Sequence, residues 1–266
     1  MYTFESILVP VDTSASARSA LKLAHSLFSE ASIQPVHVVQ RVPAHVRKII
    51  FPYAPMGEDE AEFEQELLAA AVAQLDAHLA DSPEGINDVV VELGQPQEVL
   101  PGQIARSAAD LVVMGAFGES GIYSDAIGSL CDRTIKTARV PVLITRDYEA
   151  KPSIKRILVA TDLTRASAHV YSVALSLALS TGANIEALYV LPDPYEMDTN
   201  NLLRHTLKFD KRQALRKASD SISALFERVD ELVGHLPFPD KDKLTTMMKR
   251  KNSRCGDPAR ELLQRA

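Results

Sequence analysis

The chain has 266 residues, 46% hydrophobic and 24% charged, a length that suits one large or two modest globular domains. A net charge of −6 argues against nucleic acid or an anionic membrane surface as the main partner. Met1 to Val11 lacks the basic segment and long apolar core of a signal peptide, and no run approaches the ~20 apolar residues of a membrane span; with Cys131 and Cys255 far apart and outside any CxxC, the chain reads as cytoplasmic, with reduced thiols.

Ile7-Leu8-Val9-Pro10-Val11-Asp12 is an apolar strand ending in a carboxylate. Ser14, or Thr13, is placed to cap a helix whose face carries Ala17, Ala20, Leu21, Ala24, Leu27 and Phe28 at i, i+3, i+4 spacing. Pro35 to Val39 is a second strand. Roughly Asp59–Ala80 is a long helix with Phe63, Leu67, Ala71, Leu75 and Leu79 on one side, its acidic start suiting the helix dipole. Asp88 to Leu93 is a third strand, and Gly94-Gln95-Pro96 leads into a helix reaching about Ala108, which Pro101 is expected to bend or delay.

The run VVMGAFGESGIYSDAIGSLCDRTIK follows. Leu111 to Met114 reads as a buried parallel strand, and Ile127 to Ile135 as a helix. Gly115 and Gly118 at the strand exit permit positive φ and close backbone approach, while Gly128-Ser129 at the helix start offers N–H donors, a hydroxyl and the positive dipole end. That arrangement suits an anionic ligand, most simply a nucleotide phosphate; a plain strand-to-helix link would use the same glycines. Cys131 beside this turn is either a thiol activated by the helix start or a sheet-packing residue. Val142-Leu143-Ile144-Thr145 is the last strand of this half, and Asp147 to Ser153 a polar, proline-bearing linker.

The text then repeats. Ile157-Leu158-Val159-Ala160-Thr161-Asp162 is a strand ending in a carboxylate, Thr164 a possible cap, and Val170, Val173, Ala174, Leu177 and Ala178 a helix face. Ile185 to Val190 is a second strand, and roughly Leu207–Leu236 a long helix with Ala218, Ile222, Leu225, Val229 and Leu232 inward and its basic segment Lys208–Lys217 solvated. Asp242–Arg254, crowded with Lys and Arg, reads as a poor third strand. Gly256-Asp257-Pro258 matches Gly94-Gln95-Pro96, and the glycine turn has no counterpart before Ala266. A self-similar βαβα pattern means a duplicated parallel α/β unit. The seven histidines show no metal-ligand spacing, and no metal site is expected.

The pattern Gly115-x2-Gly118-x9-Gly128-Ser129, after VVMG and before a helix and PVLITR, resembles the ATP-binding signature of the universal stress protein family. ILVPVD and ILVATD resemble that family's opening strand. The resemblance implies a doubly wound α/β fold with a five-stranded parallel sheet, adenine nucleotide alpha hydrolase-like, in tandem repeat with the second copy truncated. Residues 1–148 would form a domain with the nucleotide motif, and residues 153–266 a degenerate or truncated one. Carried over, Pro10 and Val11 would line the adenine pocket, Asp12 would reach the ribose or an adjacent polar group (a strand-end cap on the first helix is its alternative role), and Val38 would press on the adenine face. Gly115, Gly118, Gly128 and Ser129 would hold ribose and phosphates, with Leu130 adding an N–H. The ligand would be ATP, AMP or ADP, with or without Mg. Glu119 departs from the family, which commonly has a basic residue there; a carboxylate ~4 Å from a phosphate costs about 1 kcal/mol in water. The resemblance also implies a homodimer joined through Val142–Thr145, an unidentified protein partner, and a regulatory stress-response role without catalysis. A slow ATPase, or an interaction module without nucleotide, are the alternatives.

Overall fold

The computed structural model describes residues 4–43, 45–46, 49, 60–80, 86, 88–118, 127–146, 154–164, 166–195, 208–234 and 250–265. The chain divides into two compact units, residues 3–152 and 153–266. In the first, β1 (Ser6–Pro10), α1 (Ala15–Leu27), β2 (Ser32–Val39), α2 (Glu60–Leu79), β3 (Val90–Leu93), α3 (Pro96–Arg106), β4 (Leu111–Gly115), α4 (Ser129–Thr137) and β5 (Val142–Thr145) follow in order. The strands form a five-stranded parallel sheet in the order β3-β2-β1-β4-β5.

The sheet is held by continuous apolar runs, as a parallel strand covered on both faces requires. Ile7, Leu8 and Val9 of β1 are each 0% exposed, at about 1.5–3 kcal/mol of stabilisation per side chain. On one face Leu8 and Val36 pack with Leu100 and Ala109, and Val112 and Met114 with Cys131. The other face carries α1, which packs on β1 and β4. Its start is fixed locally. Ser14 Oγ accepts from Ala17 N at 3.1 Å, and Asp12 Oδ1 accepts from Ser14 N at 3.0 Å, a cap worth about 1 kcal/mol. Long helix α2 turns inward the residues its periodicity predicts, with Leu75 fully buried and Phe63, Leu67, Ala71 and Leu79 half-buried.

Pro35 lies inside β2, an interior strand, where a missing N–H is normally excluded. The Val36 carbonyl oxygen points toward β1 and accepts from Val11 N–H, so the backbone polar groups of the alternate residue Pro35 face the β3 side. Pairing with β3 begins only at Val36↔Val90. The Pro35 carbonyl accepts instead from the Gln34 side chain, which also donates to Asp88 O.

The second unit repeats the opening: β6 (Arg156–Thr161), α5 (Ala166–Thr181), β7 (Asn184–Leu191), α6 (Lys211–Gly234), β8 (Arg250–Cys255) and α7 (Pro258–Arg265). Its parallel sheet runs β6-β7-β8. Gly94 and Gly256 occupy the same turn of the two copies, at φ +157° and +152°, and donate their N–H to Val39 O and Leu191 O. Pro96 and Pro258 then begin α3 and α7. The repeat therefore extends to backbone conformation.

Three expectations are corrected. The stretch expected to be a poor strand contains β8, paired with β7 from Glu186↔Arg250 to Leu191↔Cys255; backbone pairing along an existing strand outweighs the weak β propensity of its residues. Helix α3 is neither delayed by Pro101 nor stopped there, because Pro96 already supplies the first-turn start and α3 runs through to Arg106. The buried face of α5 is centred on Tyr171, Ala174, Leu175 and Ala178, while Val170 is 48% exposed. The aromatic ring took the core position that periodicity assigned to valine.

Candidate functional site

The strand order reverses between β1 and β4, the point at which an open α/β sheet leaves a crevice at the carboxyl ends of its strands. A cleft of about 950 Å³ lies there. Pro10, Val11 and Asp12 enter it from β1, Val38 from β2, Gly115 and Gly118 from the exit of β4, and Gly128, Ser129 and Leu130 from the start of α4. All nine residues that the sequence singles out thus line one cleft.

The local geometry changes what several of them offer. None of Gly115, Gly118 and Gly128 has positive φ. Gly115 is required by close approach: a Cβ there would lie 2.4 Å from Ser16 Oγ and 2.8 Å from the Ser16 carbonyl carbon. It lets α1 pack against β4. A Cβ on Gly118 would lie 2.8 Å from Asp12 Oδ2, so the carboxylate sits against the bare glycine. Gly128 caps α4, its carbonyl accepting from Asp132 N at 2.9 Å, while its own N–H donates to Ala116 O at 2.8 Å. That N–H, an expected phosphate donor, is taken. The open donors lie one residue on. The N–H groups of Ser129, Leu130 and Cys131 have no acceptor among the described residues, as the first turn of a helix leaves them.

Val11 is similarly committed. Its N–H donates to Val36 O at 2.8 Å and its carbonyl accepts from His37 Nδ1 at 2.7 Å. His37 was not among the expected site residues, yet it lines the cleft with Gln40, Gln95, Gln97 and Phe117. Its signal was a polar residue in an apolar strand; that of Phe117 was its place between two glycines. The Arg146 guanidinium carbon lies 6.0 Å from the Phe117 ring centroid. Among the described lining residues, Asp12 is the one carboxylate, and no Lys or Arg lines the cleft. Glu119 lies outside the described residues.

Cys131 is buried, and burial, with Asp132 nearby, pushes its thiol up from its ordinary value. It is a packing residue in the Val112–Met114 cluster, not an activated nucleophile. No group of three or more His, Cys, Asp or Glu is placed to hold a metal among the described residues. Among the same residues, no helix is long and apolar enough to cross a membrane.

A universal stress protein of Methanocaldococcus jannaschii is 26% identical over 145 residues, 54% of this chain and 82% of that protein. The crystal structure of a universal stress protein from Archaeoglobus fulgidus matches 99% of this chain and 83% of its own, at 16% identity and a TM-score of 0.56. A universal stress protein solved in complex with cAMP covers 55% of this chain at 20% identity, with a TM-score of 0.33. The model of the universal stress protein family matches residues 3–146 and 153–236, most of the length of both units. The chain belongs to the universal stress protein family.

Proposed function

We propose that residues 1–148 bind an adenine nucleotide, ATP or its di- and monophosphate, and that the bound state is read by a partner or through dimerisation as part of a stress response. The observation that carries this reading is the single cleft in which an apolar pocket, a carboxylate and three open N–H groups converge. The base would lie between Pro10-Val11 and Val38, with Asp12 accepting from a ribose hydroxyl. The phosphates would take the N–H groups of Ser129, Leu130 and Cys131 in place of water, together with the Ser129 hydroxyl. Magnesium, where present, would arrive on the phosphates, with Asp12 the one carboxylate among the described lining residues able to approach it. Among the described lining residues there is no Lys or Arg to offset charge developing in phosphoryl transfer, which favours a binding and regulatory role in this reading.

Mass spectrometry of ligand released from freshly purified protein should find an adenine nucleotide. Gly118→Val should lower ATP affinity at least tenfold by calorimetry, since it displaces Asp12. Unchanged affinity would overturn the reading, and steady-state phosphate release would replace it with a slow ATPase.

We also propose a homodimer through Val142–Thr145. Among the described residues β5 ends its sheet, paired with β4, and an apolar strand edge favours addition of another strand. Ile144→Lys should shift the sedimenting species toward monomer; a monomeric parent protein across micromolar concentrations would refute it.

A further inference from the structure

A second cavity, of about 410 Å³, lies between α3 and α4 and adjoins the first cleft, with Gln97, Leu100 and Leu130 lining both. Its size falls in the range of small-molecule sites, ~300–1,000 Å³. The wall from α3 is Leu100, Pro101, Ile104 and Ala105, and the floor includes Ala109 and Leu130. Among the described residues, no aromatic side chain and no carboxylate lines it. Thr134 and Thr137 also face it, but their hydroxyls already donate along the helix to Leu130 O and Arg133 O, at 2.7 and 2.9 Å. Beyond Gln97, Arg133 and Arg139, the side chains that line the cavity are aliphatic or carry hydroxyls already committed to the helix.

The charges at this cavity are selective. Of the four basic residues on and just beyond these two helices, Arg106 pairs with Glu92 at 2.6 Å and Lys136 with Asp132 at 2.7 Å. Arg133 and Arg139 have no carboxylate partner among the described residues, and these are the two that line the cavity. Both are exposed. In a chain of net charge −6, two guanidinium groups that line a largely aliphatic trough, without a carboxylate partner among the described residues, form a local site of opposite sign. Guanidinium binds carboxylate through paired, charge-assisted hydrogen bonds.

We propose that this trough binds a medium-chain aliphatic carboxylate, its chain along Leu100, Ile104 and Leu130 and its head between Arg133 and Arg139. The inference does not rest on the nucleotide reading, and the titration is run without nucleotide, so failure of one leaves the other standing. Sodium decanoate, kept below its micellar concentration, should give saturable one-to-one heat in calorimetry. Decyltrimethylammonium, the same chain with the opposite charge, should bind at least tenfold more weakly. Joint Arg133→Gln and Arg139→Gln substitution should cost decanoate at least tenfold. Ala105→Leu, at an exposed helical position where a larger side chain is tolerated, should fill the trough and remove binding with an unchanged melting curve. Absence of saturable binding would overturn the proposal. So would equal affinity for the two amphiphiles, or decanoate binding that survives both sets of substitutions.

Discussion

Asp12 and Asp162 end the same strand in the two halves, yet their neighbours give them different work. Asp12 Oδ1 accepts from Ser14 N, Ser14 keeps its hydroxyl for the α1 cap, and Oδ2 lies against Gly118. Asp162 Oδ1 accepts from Thr164 N, Thr164 Oγ1 and Ser167 Oγ, at 2.9, 2.7 and 2.8 Å. Ser167 stands where the first half has Ala17, a residue of the cleft wall. It also accepts from Thr161 Oγ1, which itself receives Leu163 N in a turn where Leu163 adopts φ +63°. The second carboxylate is closed into a hydroxyl network at the head of its own helix. A strand that ends in aspartate does not by itself make a ligand site. The residues one helical turn later decide whether the carboxylate faces a cleft or its own backbone.

The contrast can be broken most severely at Gly115, where α1 packs closely against β4. Gly115→Val should destabilise the first unit by about 2–3 kcal/mol, because the nearest obstacle includes Ser16 backbone rather than a movable side-chain tip. Denaturant unfolding should show the loss; an unchanged midpoint would mean that α1 can retreat from β4. Next in size is the carboxylate pair. Asp12→Ala should weaken ATP binding by about 10- to 100-fold, the value of a hydrogen bond to a charged group, whereas Asp162→Ala should leave affinity and stoichiometry unchanged. Equal losses in calorimetry would erase the functional distinction between the halves.

The smallest effect sharpens the comparison through pH. Hydrogen bonds from Thr164 N–H first, then from the Thr164 and Ser167 hydroxyls, hold the Asp162 carboxyl at about 2, below its ordinary 3.8. A lowered folded value means that the contribution to stability is present above the ordinary value and lost as pH falls toward 2. Ser167→Ala removes one donor and should move the midpoint upward, so that the contribution is smaller and its loss is complete at a higher pH. Carboxyl-carbon titration by NMR measures this directly. An unmoved midpoint would show that Thr164 alone fixes the carboxylate.

Much of this architecture was legible in the residues because parallel strands and amphipathic helices have distinct periods. Ile7-Leu8-Val9, the α1 face and the inner stripe of α2 follow from hydrophobic spacing alone. Elements decided by tertiary pairing were not legible. Arg250–Cys255 is a strand because β7 offers it a partner, and α3 passes Pro101 because it is already under way from Pro96. At the site, the spacing of the glycines found the cleft but misjudged their service. It pointed to free φ angles and a Gly128 donor, where the structure has a helix contact at Gly115 and an occupied N–H at Gly128. His37 went unseen because its bond to Val11 O joins positions 26 residues apart, beyond any local pattern.

Pro35 carries a consequence for the states this sheet must avoid. In the native alignment its nitrogen faces the β3 side just before that pairing begins, so no ladder bond is lost. Sliding β2 by one residue against β1 would turn that nitrogen inward and leave a β1 carbonyl without its donor, at about 1–3 kcal/mol if buried. The same slip would exchange the two faces of the strand, sending Val36 and Val38 away from Leu100 and turning His37 toward it. A residue that forms no native ladder bond thereby penalises the misaligned sheet, and the cleft inherits the alignment of β1 and β2 that Pro35 protects.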